Sequence, residues 1–214
     1  MAADLTNYYI LARRAMHDEN YKDAIRFYET VLLNNPNDWE ARFYTYYAQA
    51  ELADFSDLDD RLNVFADALY NIFSVLVQTD MPDYWRTEHV LQCTRYMMTL
   101  PLKITIKSCE ARREAIIMRA YELSELYQGN FCRNLLACYR LCYTFCDVIE
   151  FYFANNDALL KEILDLRIFL GKNHVENHKS ELADSPYADD SIAYSTKNIN
   201  KLKNLAKKLN ITND

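Results

Sequence analysis

Residues 5–38 read LTNYYILARRAMHDENYKDAIRFYETVLLNNPND, and this stretch decides the fold that the sequence predicts. Its apolar residues recur at the spacing of two amphipathic helices. The polar turn Asp18-Glu19-Asn20 separates these helices, and Pro36 ends the second one. A helical hairpin of this kind cannot bury its apolar face alone, so it must stack on further helices. The stretch therefore predicts an all-α protein built as a stacked array.

The composition of the whole chain supports this prediction. Half of the 214 residues are apolar, which is enough for a core, and the length suits one large domain or two small ones. Glycine occurs only at Gly129 and Gly171. Nucleotide-binding loops and strand-rich folds need glycine for tight turns, so both are disfavoured. Long helices joined by asparagine-rich turns remain.

The charge and the cysteines limit the expected partners and compartment. The net charge is −7, whereas a nucleic-acid surface needs concentrated positive charge, so we expect no nucleic-acid partner. No run of about 18 apolar residues could span a bilayer, and no signal-peptide pattern opens the sequence. We therefore expect a cytoplasmic protein whose six cysteines are reduced.

The periodicity along the chain predicts one all-α domain, residues 1–214, of about eight or nine helices. Its predicted parts are a hairpin and a half at 5–53, a remainder of longer helices at 54–184 and an amphipathic helix at 190–210. That last helix is rich in lysine and has a narrow aliphatic face. We expect it to cap the end of the array, and the alternative is that it lies on an anionic membrane.

Single residues predict where several of these helices begin and end. Asp38 is expected to cap the third helix. Pro101 is expected to separate the fifth helix from the sixth, and Gly129 to end the sixth. The helix that follows residue 157 has two predicted ends, one at Gly171 and one near Ala183.

The order of residues in the opening stretch resembles the tetratricopeptide (TPR) repeat. Tyr8 stands at the position of the large aromatic residue, and Ala24 at the small residue where the two helices touch. Tyr28 and Pro36 complete the pattern, while Ala12 stands where the repeat usually has glycine. The resemblance covers about one repeat and a half, and it implies a helical array that binds peptides.

The resemblance also implies a partner-binding surface, because the first helix of each TPR-like hairpin lines the concave face of the array. Five residues fall at the corresponding positions and are the candidate partner-binding residues: Tyr9, Arg13, Met16, Phe43 and Tyr47. Tyrosine offers a large contact area with a polar tip, which suits a peptide groove. The alternative is that the aromatic residues pack between helices, and the sequence favours neither interpretation over the other.

The wider stretch at residues 11–44 is similar to a group of uncharacterised bacterial proteins in which a zinc ribbon precedes one TPR-like hairpin. The paired cysteines of the ribbon are absent here, since the first cysteine is Cys93. Zinc binding therefore does not carry over to this chain. The similarity implies a bacterial accessory or scaffold protein.

Four cysteines form a cluster that could suggest a metal site. Cys132, Cys138, Cys142 and Cys146 lie in one predicted helix, and the last three share a face. Zinc needs tetrahedral ligands, usually supplied by two short loops, and three thiolates along one straight helix cannot close such a site. We interpret the cysteines as small residues at a helix-packing face, and expect no metal.

The histidines and carboxylates give no catalytic motif. His174 and His178 are four residues apart in HVENH, which is not the zinc-protease motif because its glutamate is at the wrong offset. We expect this pair to lie in a solvent-exposed polar turn. No nucleophile elbow or cofactor-binding motif is present. We therefore predict a non-catalytic protein-interaction scaffold that binds a peptide or a partner helix without a cofactor, with a structural homodimer or an enzyme of unrecognised type as alternatives.

Overall fold

The computed structural model describes residues 5–118 and 121–211. Over those ranges the chain forms eight α-helices and one short π-helical segment, His178–Leu182, with no strand. The helices are α1 Thr6–His17, α2 Tyr21–Asn34, α3 Trp39–Leu52, α4 Leu58–Gln78, α5 Asp83–Ile117, α6 Tyr121–Tyr152, α7 Asp157–Asn177 and α8 Ala188–Lys208. None of the helices in the described ranges is long and apolar enough to cross a membrane. The predicted all-α fold of eight or nine helices is confirmed.

The contacts divide the chain into two compact units, Met1–Asp80 and Met81–Asp214. Unit 1 contains α1 to α4, and unit 2 contains α5 to α8 with the π-helical segment. Each unit has its own set of buried apolar side chains. The predicted single domain over residues 1–214 stays a prediction.

In unit 1, each helix packs against the next one along the chain. Asp38 caps α3, since the backbone N–H of Ala41 donates to Asp38 Oδ1 at 2.8 Å, and this predicted cap is confirmed. The core between α3 and α4 is aromatic. The ring of Phe43 lies edge-on to the rings of Phe65 and Phe73, with centroids 5.2 and 6.1 Å away. Such edge-to-face pairs stabilise the packing beyond the burial of their area.

In unit 2, α5 packs along α6, α7 packs on both, and α8 packs on α7 and α6. The second half of α6 is buried around most of its circumference between residues 131 and 149, as expected of a central helix. At the far end of α8, Lys208 Nζ donates to the backbone carbonyl of Ala154 at 2.5 Å. The lysine-rich helix therefore lies on the protein body, as the first of its two predicted arrangements requires.

Two predicted helix breaks are wrong, because Pro101 lies inside α5 and Gly129 lies inside α6. A proline removes the backbone N–H that would bond the carbonyl four residues earlier, which is Met97 O. Cys142 Sγ of α6 donates to that carbonyl at 3.5 Å, so a neighbouring helix supplies the missing donor. Gly129 has no positive φ, the conformation by which glycine ends a helix.

Candidate functional site

Three of the five predicted partner-binding residues lie in the core of unit 1. Met16 is 4% exposed, and Phe43 and Tyr47 are fully buried. The Tyr47 hydroxyl donates to Glu51 Oε1 at 2.7 Å within α3, and its ring lies 6.3 Å from the ring of Tyr21. These positions agree with the alternative interpretation of the sequence, in which the aromatic rings pack between stacked helices. The three side chains are not accessible to a partner in this structure.

The other two predicted residues, Tyr9 and Arg13, tie α1 to the start of α3. The Tyr9 hydroxyl donates to Asp38 Oδ2 at 2.5 Å. Arg13 Nε and Nη2 donate to the two oxygens of Glu40 at 2.7 and 2.6 Å, and Tyr28 donates to Glu40 Oε1 at 3.2 Å. Burial and the Asp38 carboxylate raise the pKa of Tyr9. The Arg13 side chain is still 53% exposed and Tyr9 is half-buried, so partner binding by these two residues stays a prediction.

A groove of about 650 Å³ lies in unit 2, between the first half of α6 and the segment that joins α7 to α8. Its volume falls within the range of roughly 300–1,000 Å³ that is typical of ligand-binding clefts. The α6 wall includes Glu125, Leu126, Cys132 and Arg133. The π-helical segment and the turn after it form the opposite wall, which includes Lys179, Glu181, Asp184 and Tyr187. Single turns of π-helix occur frequently at functional sites.

Hydrogen bonds across the groove fix its two walls to each other. Gln128 Nε2 donates to Glu181 Oε2 at 2.8 Å, and Cys132 Sγ donates to the backbone carbonyl of Glu181 at 3.3 Å. Burial, assisted by the negative charge of Glu181, raises the pKa of the Cys132 thiol. Cys132 therefore acts as a hydrogen-bond donor in its protonated form, and it is not activated as a nucleophile.

A buried chain of hydrogen bonds connects α6, α7 and α8 beside the groove. Tyr143 Oη lies 3.0 Å from His174 Nδ1, and His174 Nε2 lies 3.0 Å from Ser191 Oγ. Ser191 Oγ also lies 2.9 Å from Nδ1 of His178 in the π-helical segment. The ring of Tyr139 stacks on the His174 ring at 4.0 Å between centroids. Burial, assisted by His178, lowers the pKa of His174 to about 4, so its imidazole is neutral at physiological pH.

The predicted solvent-exposed turn around the two histidines is wrong for His174, which is fully buried. The reason is that α7 continues past Gly171 and carries His174 into the contact with α6. A serine beside a histidine has the composition of a nucleophile and its base. Ser191 and His174 are both fully buried, however, so no substrate reaches them in this structure.

The cysteine stripe of α6 lies in the core of unit 2. Cys132, Cys138, Cys142 and Cys146 are all buried. Burial raises the pKa of Cys146 to about 12. Zinc binds thiolates, which these environments disfavour. Within the part of the chain that the structure describes, no three His, Cys, Asp or Glu side chains are grouped to hold a metal ion.

A second, smaller cavity of about 120 Å³ lies beside a buried ion-pair cluster centred on Arg167. The guanidinium donates to Glu150 Oε1 and Asp147 Oδ1, each at 2.5 Å, and to Asn198 Oδ1 at 3.0 Å. Lys201 of α8 lies 3.6 Å from Asp147 Oδ1. These contacts join α6, α7 and α8, and they give each of the three guanidinium nitrogens of Arg167 a partner. The cluster therefore holds helices together.

Sequence reasoning did not predict the groove. Its two walls are about fifty residues apart in the chain, and they meet only because α7 returns along α6 and carries the π-helical segment past Gln128. The sequence held one local sign of the groove. This was the polar run after Gly171, where the helix that follows residue 157 had two predicted ends. Comparison of the chain with protein-family models, curated proteins and solved structures finds no match.

Proposed function

We propose that the protein is a non-catalytic adaptor that binds a peptide segment of a partner protein in the groove of unit 2. The lining of the groove carries this proposal. Leu126 is 58% exposed and offers an apolar contact on the α6 wall. Arg133 and Lys179 offer positive charge, while Glu125 and Asp184 offer negative charge. A peptide presents apolar and charged side chains of both signs, which such a lining complements.

The chemistry beside the groove favours binding over catalysis. A cysteine nucleophile requires a thiolate, whereas burial keeps Cys132 protonated. A serine nucleophile requires an accessible hydroxyl, whereas Ser191 is fully buried and lies between His174 and His178. The fixed walls also favour binding, because a preformed groove loses little conformational entropy when it is filled.

We further propose, as the sequence predicts, that the protein is cytoplasmic, TPR-like and similar to bacterial accessory proteins. In that setting the exposed part of α1, with Tyr9 and Arg13, is the second place where a peptide could bind. A single experiment can separate the two places, since the groove belongs to unit 2 and α1 belongs to unit 1.

We predict that a glutamate on the groove wall prevents peptide binding. Peptides would be selected from a random phage-displayed library on the immobilised full chain, and binding of a labelled peptide would be measured by fluorescence anisotropy. Leu126→Glu should weaken binding at least about tenfold, since the loss of a contact worth about 1.4 kcal/mol changes affinity by that factor. Leu33→Glu is the matched control, because Leu33 is 84% exposed in unit 1 and its change should leave the affinity unaltered.

The same peptide tests the alternative surface. If Tyr9→Ala weakens binding while Leu126→Glu does not, the binding surface is on α1 and the groove proposal is wrong. If no peptide is enriched above the background of the bare support, the adaptor proposal fails for both surfaces.

A further inference from the structure

The smaller cavity of unit 2, about 120 Å³ in volume, carries a local excess of positive charge. Of the five charged residues that the structure describes along its walls, Asp147 is acidic and four are basic: Arg140, Arg167, Lys197 and Lys201. The whole chain has a net charge of −7, so the cavity reverses the sign of its surroundings. A cleft lined by charge of one sign raises the local concentration of small ions of the opposite sign.

The facing sides of α6 and α8 form this cavity. Arg140, Thr144 and Asp147 are four and three residues apart, so they lie on one face of α6. Lys197 and Lys201 are four residues apart and lie on one face of α8. Both lysines form ion pairs with Asp147, so the two faces oppose each other.

The carboxylate of Asp147 does not use up the basic groups that share it. Arg167 Nη2 donates to Asp147 Oδ1 at 2.5 Å. Lys201 Nζ lies 3.6 Å from the same oxygen, and Lys197 Nζ lies 3.4 Å from Oδ2. Both lysine distances are longer than an ordinary hydrogen bond, and each ammonium group has three N–H donors for a further ligand. Even with Glu150, which also pairs with Arg167, three cations meet two carboxylates.

The size and the neutral groups of the cavity indicate which anion fits. Its volume has room for several water molecules, and so for an ion the size of phosphate. It is well below the roughly 300–1,000 Å³ of clefts that hold larger ligands. The side chains of Thr144 and Tyr194 also line it, and their hydroxyls can donate to an oxyanion. Arg140 has a further interaction within the chain, so the two lysines are the main basic donors.

We propose that this cavity binds a phosphate group, held by Lys197 and Lys201 and by the hydroxyls of Thr144 and Tyr194. Arg167 keeps its carboxylate partners and adds its charge to the site. Hydrogen bonds between ammonium groups and phosphate oxygens are short and strong, and two helices supply them here. The proposal is independent of the peptide groove, since the two sets of described lining residues do not overlap.

Equilibrium dialysis of the full chain against radiolabelled inorganic phosphate tests the site. Chloride keeps the ionic strength constant, because exposed charges are screened by salt. The wild-type protein should bind one phosphate per chain saturably. Lys197→Gln with Lys201→Gln should weaken this binding at least about tenfold, since it removes two charge-assisted hydrogen bonds.

Two further pairs of substitutions serve as controls. Lys203→Gln with Lys207→Gln makes the same change of charge on the same helix, but both residues are exposed and neither lines the cavity. This pair should leave the affinity unaltered. Lys197→Arg with Lys201→Arg keeps the charge and should retain binding, and circular dichroism checks that every variant is folded.

Three results would overturn the proposal. The first is a wild-type protein that shows no saturable phosphate binding. The second is binding that survives Lys197→Gln with Lys201→Gln. The third is an equal loss of binding in Lys203→Gln with Lys207→Gln, because the effect would then come from the total charge of α8.

Competition against the labelled phosphate identifies the source of the phosphate group. Displacement by O-phosphoserine supports a site for phosphate esters, whereas failure to displace supports a site for free phosphate. Acetate at the same concentration should displace little, since it carries one charge and two oxygens. Displacement by acetate as effective as that by unlabelled phosphate would show that the site does not recognise phosphate.

Discussion

At the scale of single residues, Arg167 and His174 are buried polar side chains of unit 2 whose partners lie on other helices. Arg167 is 1% exposed and meets two carboxylates and Asn198. His174 is fully buried, with a partner at each ring nitrogen. Burying a polar group without a partner is costly, so these residues fix which helices meet and in what register.

The stability of the protein should depend on pH through His174. In the unfolded chain its imidazole takes up a proton near the ordinary pKa of 6.5, whereas in the folded chain it stays neutral until the pH reaches about 4. The folded state therefore loses stability as the pH falls through this window, by about 3 kcal/mol, and the loss levels off below pH 4. Urea unfolding at a series of pH values measures this loss.

Carboxylates titrate in the same range, so the measured quantity is the difference between the wild-type protein and His174→Gln. His17→Gln is the control, because the His17 side chain is 88% exposed and should leave the pH profile unchanged. The interpretation is wrong if wild-type protein and His174→Gln lose stability in parallel between pH 6.5 and 4.

At the scale of helices, α5 shows how a neighbouring helix can overcome a local signal. Pro101 removes one backbone donor, and Cys142 of α6 supplies another to Met97 O. A proline inside a helix costs about 3 kcal/mol in isolation. Packing along α6 and α7 offsets that cost, so α5 continues to Ile117. The rule that a proline ends a helix fails here because tertiary contacts outweigh it.

A double-mutant cycle tests the role of Cys142. Cys142→Ala should destabilise the protein by about 1–3 kcal/mol, since it leaves the buried Met97 carbonyl unpaired. In the background of Pro101→Ala the loss should be smaller by about 1 kcal/mol, because a backbone N–H at position 101 can then bond Met97 O. Cys146→Ala is the control, and its cost should be equal in both backgrounds. Equal costs for Cys142→Ala would show that the thiol only fills space.

At the scale of the whole molecule, the contacts form two compact units where the sequence predicts one domain. Composition and periodicity gave no sign of a boundary, because Asp80-Met81-Pro82 reads as an ordinary turn between helices. Substitutions confined to each unit test whether the two units unfold together.

We predict that a destabilising substitution in one unit leaves the other unit protected. Arg167→Met removes the guanidinium from Glu150 and leaves Asp147 with only its two lysine contacts, so it should cost about 3–5 kcal/mol. Arg13→Ala leaves Glu40, which is 4% exposed, with the Tyr28 hydrogen bond alone. The change should cost about 1–2 kcal/mol, because Arg13 itself is half-exposed and water can replace it. Hydrogen exchange of the full chain should show each loss of protection only in the unit that carries the change.

Arg14→Ala is the matched control for Arg13→Ala, since the Arg14 side chain is 80% exposed and its ion pair with Asp18 is loose at 3.7 Å. Loss of protection in α6 when only Arg13 is changed would show that the chain unfolds as one domain, as the sequence predicts.

The sequence by itself determined the all-α fold, most helix boundaries and the cap at Asp38. Those features depend on apolar spacing and on backbone groups within a few residues, which a local stretch of sequence contains. Only the tertiary structure decided the continuous α5 and α6, the burial of Phe43, Tyr47 and His174, and the groove. Each of these depends on a side chain or donor from a distant helix, such as Cys142 for Pro101. Local sequence cannot specify such a partner, because the free energy of burial is set by whatever the fold brings alongside.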